Sequence, residues 1–238
     1  MHTQKLIYSF FVLLALFILP SCTVPNAEDK AGFVSIFDGK TLAGWHAVPK
    51  DSSGDWSVTN GVILGAGSEN RLSYLVYKDD MLRDFELKLS YCLPEKGNTG
   101  VEIRSLPDTT GKRPFEGYHA DLGHLGIGPG ILGAWDFHFA KRREYPCKRG
   151  KRLIIDADGK THYTKIDNAL AKKDINKHQW NEIHIIARGN NFQFFINGKC
   201  ASEFTDNFKD SLKQGAIGLQ IHDKGMKVKF KDIRLKRL

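Results

Sequence analysis

Residues 182–204 read EIHIIARGNNFQFFINGKCASEF. Two turn signals, Gly189-Asn190-Asn191 and Asn197-Gly198, cut this stretch into strand, turn, strand, turn, strand. The same grammar extends outward. WSVTNGVILG, residues 56–65, alternates Trp56 and Val58 with Ser57 and Thr59, turns at Asn60-Gly61 and resumes with Val62 and Leu64. FELKLSYCL, residues 85–93, places Phe85, Leu87, Leu89 and Tyr91 on one face. GVEIRSL, residues 100–106, sends Val101 and Ile103 inward and Glu102 and Arg104 outward. GAIGLQIHD, residues 215–223, sends Ile217, Leu219 and Ile221 inward and Gln220 and His222 outward. MKVKFKDIRLKRL closes the chain as a last strand. Helical character is confined to DNALAKKDINKHQW, residues 167–180. The expectation is an all-β, two-sheet sandwich with at most one short helix, formed as one domain by residues 33–238. Its core should hold Leu87, Leu89, Val101, Ile103, Ile183, Ile185, Ile217 and Leu219.

The chain has 238 residues, enough for one such domain, and 41% of them are hydrophobic. Its net charge is +8, but the Lys and Arg residues are dispersed, with local groups at 141–152 and 224–238. No zinc-finger spacing or basic helix accompanies them, so the charge reads as solubility or attraction to an anionic surface, not nucleic-acid binding.

Lys5 precedes LIYSFFVLLALFILPSC, a positive start and an apolar run ending at Cys22. This is the pattern of a secretory signal over residues 1–21. LPSC resembles a bacterial lipobox, which makes Cys22 the lipidated first residue, followed by a polar tether over 22–32. The expected location is therefore outside the cytoplasm, membrane-anchored and facing the periplasm or cell surface. Loss of Lys5 with the signal leaves the mature charge at +8 − 1 = +7. Cys92, Cys147 and Cys200 show no metal-type spacing and read as buried free thiols with at most one bridge.

Two stretches resist a hairpin reading: SLPDTTGKRPFEG at 105–117 and the glycine-rich GHLGIGPGILGA at 123–134. The second lacks the strand-to-helix context of a phosphate loop, and close backbone approach beside a binding face is the better reading. Between them lies EGYHADLG, residues 116–123. As a strand it places His119 and Asp121 on one face and Tyr118 and Ala120, which could serve the core, on the other. Trp45, Trp56 and Trp180 also read as core. The AKRREYPCKRG run at 140–150 reads as a solvated loop or cleft rim, and His124 and His138 are secondary ligand candidates in flanking loops. Asp156-Ala157-Asp158-Gly159 reads as a hairpin turn, since a calcium loop would need a downstream glutamate.

Taken together, FVSIFDGKTLAGW, GNTGVEIRS, GYHADLG, QWNEIHIIARGNNFQFFINGK, GAIGLQIH and VKFKDIRLKRL resemble the 3-keto-disaccharide hydrolase domain family, in order across residues 33–238. The resemblance implies a concanavalin-like jelly roll with sugar on the concave sheet. It also implies an exported bacterial protein, often a lipoprotein, cleaving glycosides whose C3 has been oxidised by a separate sugar oxidoreductase. Better known members usually carry Glu and Gln where this chain has His119 and Asp121. The chain is nearer to a subgroup with an ADLG-like strand, a following acid at Asp136 and IDADGK at 155–160.

If the shared sheet implied by the resemblance holds, Glu102, Arg104, His119, Asp121, Gln220 and His222 line one cleft. A 3-keto sugar has an acidified C2 proton; its removal gives an enolate, the C1 substituent leaves, and water adds to the enone. His119 or His222 suits the base and Arg104 the enolate oxygen, while Asp121 or Glu102 could orient a histidine or act as acid. Trp135 is a candidate platform for the sugar ring. Gln220, Asp136 and Tyr118 complete the substrate-binding candidates. No cofactor is required, and a divalent ion held by His and carboxylates is the alternative to Arg104. Two other readings stay open: a two-carboxylate glycosidase using Glu102 and Asp121, and a carbohydrate-binding lipoprotein without catalysis.

Overall fold

The computed structural model describes residues 31–68, 72–79, 81–139, 141–142 and 146–238. The signal segment, Cys22 and nearly all of the tether lie outside the described residues. Sixteen strands follow in order: β1 (Val34–Ser35), β2 (Trp45–Val48), β3 (Trp56–Thr59), β4 (Val62–Ala66), β5 (Ser73–Tyr77), β6 (Phe85–Cys92), β7 (Gly100–Pro107), β8 (Phe115–Asp121), β9 (Trp135–His138), β10 (Lys151–Ile155), β11 (Thr161–Lys165), β12 (Asn181–Arg188), β13 (Asn191–Ile196), β14 (Lys199–Asp206), β15 (Ala216–Ile221) and β16 (Lys227–Arg237). They form a ten-stranded sheet, ordered β11-β10-β14-β13-β12-β6-β16-β4-β3 with β1 on β16, and a six-stranded sheet, ordered β2-β5-β15-β7-β8-β9. The pairings are antiparallel except β10 with β14. Among the described residues, helix is limited to two 3-10 turns, Lys50–Asp55 and Lys172–Asp174, where at most one short helix was expected.

The hairpins follow from turn chemistry. Asn60 and Gly61 take φ of 50° and 78°, and Asn197 and Gly198 take 49° and 75°, the paired positive values of a two-residue turn matched to strand twist. The first turn corrects one phase in the sequence reading. It pairs Val58 with Ile63 and Thr59 with Val62, so Ile63, and not Val62 or Leu64, is the fully buried residue of β4. The eight expected core residues are all at or below 1% exposure and belong to one apolar cluster between the sheets. Trp45 and Trp56 join it, whereas Trp180 is half-buried beneath the Lys231 ammonium. Cys92, Cys147 and Cys200 are free thiols.

Three expected site residues are structural instead. Arg104 does not share the face of Glu102, because the β7–β8 register shifts between Ile103 and Leu106 and Arg104 itself adopts φ +48°. The bulge breaks the alternation and re-aims the side chain. Its guanidinium lies 4.7 Å over the Phe192 ring and donates to the carbonyls of Arg83 (2.9 Å), Gly189 (2.8 Å) and Leu212 (3.0 Å), and to Asp84 Oδ1 (3.0 Å). Tyr118 faces the core at 0% exposure, packed against Phe137, Phe139, Phe192 and Phe204, as its place in the alternation requires. Its hydroxyl donates to Asp206 Oδ2 at 2.6 Å. Arg142, from the stretch read as solvated, grips the same buried Asp206 through two hydrogen bonds of 2.7 and 3.0 Å. Trp135 is likewise fully buried against Phe192, Phe194 and Phe204 and offers no platform to a sugar.

Arg104→Ala should therefore lower stability by about 3 kcal/mol, since it orphans buried carbonyls, with the half-exposed Asp84 arm adding little. A urea midpoint shift at constant m measures it; a loss below ~1 kcal/mol would show that the anchor is not structural.

Candidate active site

The outer face of the six-stranded sheet, turned away from the core, carries the polar members of the alternation. Glu102 on β7 stands opposite His119 on β8, and His119 stands opposite Asp136 on β9. Gln220 on β15 stands opposite Tyr74 on β5. This face is not a solvated surface: Glu102 is 1% exposed, His119 2%, Asp121 7% and Gln220 1%. The β9 side opens outward, where the His138 side chain is 16% and the Asp136 side chain 41% exposed.

Two glycines make the packing of this face possible. Gly117 on β8 pairs with His138 on β9, and a Cβ there would lie 2.8 Å from Glu102 Oε2. Glu102 can thus lean from β7 across β8 and meet His138 two strands away, with His138 Nδ1 in close contact with Glu102 Oε1. Gly100 on β7 pairs with Asp121, and a Cβ there would lie 2.2 Å from His119 Nε2, so its bareness is the seat of that imidazole. The two imidazoles stack with centroids 4.8 Å apart at 24°. His119 Nδ1 lies 3.3 Å from Glu102 Oε1, without hydrogen-bond alignment, and its Nε2 lies 3.6 Å from Asp121 Oδ1. His138 Nε2 in turn lies 3.6 Å from Asp136 Oδ2.

The electrostatics follow from this arrangement. Burial alone would raise Glu102, yet the His138 and His119 imidazoles hold it well below the usual carboxylate range. Burial works against the charge on His138 too, but Glu102 and Asp136 outweigh it and raise its pKa to about 10. Asp121 goes the other way: burial, aided by the Asp136 and Glu102 carboxylates against the histidines, pushes it up to about 6. Asp136 is pulled below its usual range, burial being outweighed by His138. Two carboxyls a strand apart thus differ in proton affinity, the condition that separates acid and base roles.

Of the sequence candidates, Glu102, His119, Asp121 and Asp136 are brought together. Gln220 shares their face and donates to the Tyr74 hydroxyl at 2.8 Å, leaving its buried Oε1 unpartnered. His222 is not drawn in: it follows the end of β15, and its Nδ1 bonds Asp223 Oδ1 at 2.7 Å. The residue under-read in the sequence is His138, placed in a loop and ranked behind the others. Its signal was WDFH, a four-residue alternation of Trp135 and Phe137 with Asp136 and His138. Tyr74 was missed altogether; it stands in a strand buried at four of five positions, where alternation is invisible.

The family described as 3-keto-alpha-glucoside-1,2-lyase-like domain matches residues 32–236. The chain belongs to that family. A 79-residue stretch of this lyase-like protein is 30% identical to a 3-keto-disaccharide hydrolase of Bacteroides thetaiotaomicron VPI-5482, spanning 31% of this chain and only 27% of that protein's length. A crystal structure from Parabacteroides distasonis ATCC 8503, assigned to the glycosyl hydrolases, superposes with a TM-score of 0.59 at 18% identity, covering 89% of this chain and 96% of that one. The carbohydrate-binding module CBM66 of Bacillus subtilis superposes at 0.52 and 15% identity, over 81% and 95% of the two chains. At these identities the likeness establishes a two-sheet jelly-roll fold.

Gly100→Ala should displace the His119 ring and destabilise the domain by about 1–3 kcal/mol, the range for overpacking a filled site. Thermal unfolding reads the loss, and histidine ring NMR signals read the displacement; unchanged signals would mean the glycine is not the seat of His119.

Proposed function

We propose that this domain cleaves 3-keto glycosides by C2 proton abstraction, elimination and hydration. The observation that carries the reading is the buried outer-face cluster, in which the His119 and His138 imidazoles converge on Glu102 beside a carboxyl, Asp121, whose pKa is raised to about 6. The membership of the lyase-like family and the name of the Bacteroides relative support the substrate class. An aldose glycoside has no acidic C2–H, so the ketone must be installed by a separate sugar 3-oxidoreductase. The LPSC motif supports an exported, Cys22-anchored protein that meets its substrate outside the cytoplasm.

Asp121 is the C2 base in this scheme. A base works best when its pKa lies near the working pH, which favours Asp121 over Asp136, whose affinity is lowered. The C2–H bond breaks, the proton goes to Asp121, and the electron pair enters a C2=C3 enolate with its charge on the C3 oxygen. A hydrogen-bond-donating or Lewis-acidic group at the cluster would stabilise that oxygen. The pair then forms C1=C2 as the C1–O bond breaks, and the aglycone leaves with a proton from Asp121 or solvent. Water adds at C1 of the enone and restores the 3-keto sugar. Arg104, held in the carbonyl cage at the bulge, takes no part. Asp136, at the open edge of the face, would bind sugar hydroxyls.

The test compares a 3-keto glucoside with its parent glucoside. The protein should release aglycone only from the former, and should exchange its C2 proton with deuterated water. Asp121→Asn should slow that exchange by roughly 10²–10⁴-fold. Binding without exchange would make the domain a carbohydrate-binding module, and cleavage of the parent glucoside would make it a conventional two-carboxylate glycosidase.

A further inference from the structure

We propose that Glu102, His119 and His138 are the protein ligands of a divalent transition-metal ion. The site stands on its own geometry; its use in catalysis rests on the elimination reading above. Each of the three offers a ligand atom, and these lie within 4.8 Å of one another. Both histidines turn Nδ1 toward the same Glu102 oxygen, His119 at 3.3 Å and His138 closer still. Donors bonded to one metal at about 2.0–2.2 Å stand roughly 3 Å apart or a little more, the separation His119 already has and to which His138 would draw back. Both histidines also turn Nε2 toward a carboxylate at 3.6 Å, Asp121 for His119 and Asp136 for His138. Outer carboxylates on the far ring nitrogen are the usual means of orienting a metal-ligating imidazole.

The unpartnered atoms point the same way. Glu102 Oε2 and His119 Nδ1 are buried without a hydrogen-bond partner, on residues 1% and 2% exposed. Leaving such groups unmade is costly, and a ligand completes them. Two imidazoles and one carboxylate suit a first-row ion such as Mn²⁺ or Zn²⁺ better than calcium, which takes oxygen ligands. Three protein ligands leave positions free for the C3 carbonyl oxygen of the substrate and its C2 hydroxyl. The ion would polarise the ketone as a Lewis acid, the role that Arg104 cannot fill.

The experiment measures metal content of the protein purified without chelator, then titrates chelator-stripped protein with Mn²⁺ and Zn²⁺ by calorimetry. One equivalent is expected, with binding lost in Glu102→Gln and His138→Ala and weakened about 10–100-fold in Asp136→Asn. Thermal unfolding of the stripped variants shows that they are folded, and Asp136→Asn decides if either ligand variant is not. Stripping should slow C2 exchange on a 3-keto glucoside by on the order of 10²-fold, restored by added ion. No binding by the stripped protein, or equal binding by all three variants, overturns the site. Full exchange in metal-free protein overturns the metal's part in catalysis and leaves the elimination reading intact. One bound equivalent with no C2 exchange does the reverse.

Discussion

The buried Glu102 carboxylate is the constraint around which the outer face is organised. A lone carboxylate at 1% exposure would lose its hydration without return, a loss of several kcal/mol. Here two imidazoles converge on one of its oxygens, and each imidazole is backed by a second carboxyl group, Asp121 for His119 and Asp136 for His138. This arrangement requires Glu102 to reach across a whole strand, which Gly117 permits, and requires His119 to lie flat on its neighbour, which Gly100 permits. Remove either gap and the cluster has no room to form.

The rest of the fold holds that face still. β7, β8 and β9 are successive neighbours in one sheet, so five of the chemical groups come from a contiguous antiparallel unit. Their alternate residues, Val101, Ile103, Tyr118, Ala120, Trp135 and Phe137, are fully buried against the opposite sheet. Each core side chain therefore fixes the rotation of its strand and so aims its polar neighbours. Polar clamps reinforce the junction: Arg142 and Tyr118 both bind Asp206 of β14, and Arg104 ties the β7 bulge to three backbone carbonyls. Aromatic side chains read as sugar contacts are spent on this frame instead.

The fold was legible because its rules are local. Asn-Gly turns and period-two alternation place the hairpins and the core without knowledge of distant contacts, and Leu87, Ile183 and Leu219 lie where the pattern puts them. The candidate site was legible in part. Glu102, His119 and Asp121 sit on regular strand segments, where facing follows from parity. Arg104 failed because a bulge adds a residue that no local pattern announces. Trp135 failed for a different reason: its strand is four residues long, and its apolar phase reads as core or platform until a second sheet is laid against it.

The sequence by itself determined the strand grammar, the all-β sandwich and the family, and it put Glu102, His119 and Asp121 on a common face. It did so because alternation and turn propensity are properties of neighbouring residues. Only the tertiary structure decided that His138 joins Glu102 across β8, that His222 stays outside with Asp223, and that Asp121 and Asp136 acquire opposite proton affinities. Those outcomes depend on strand order, on burial and on the empty space above two glycines, quantities set by which strands become neighbours and how closely they pack.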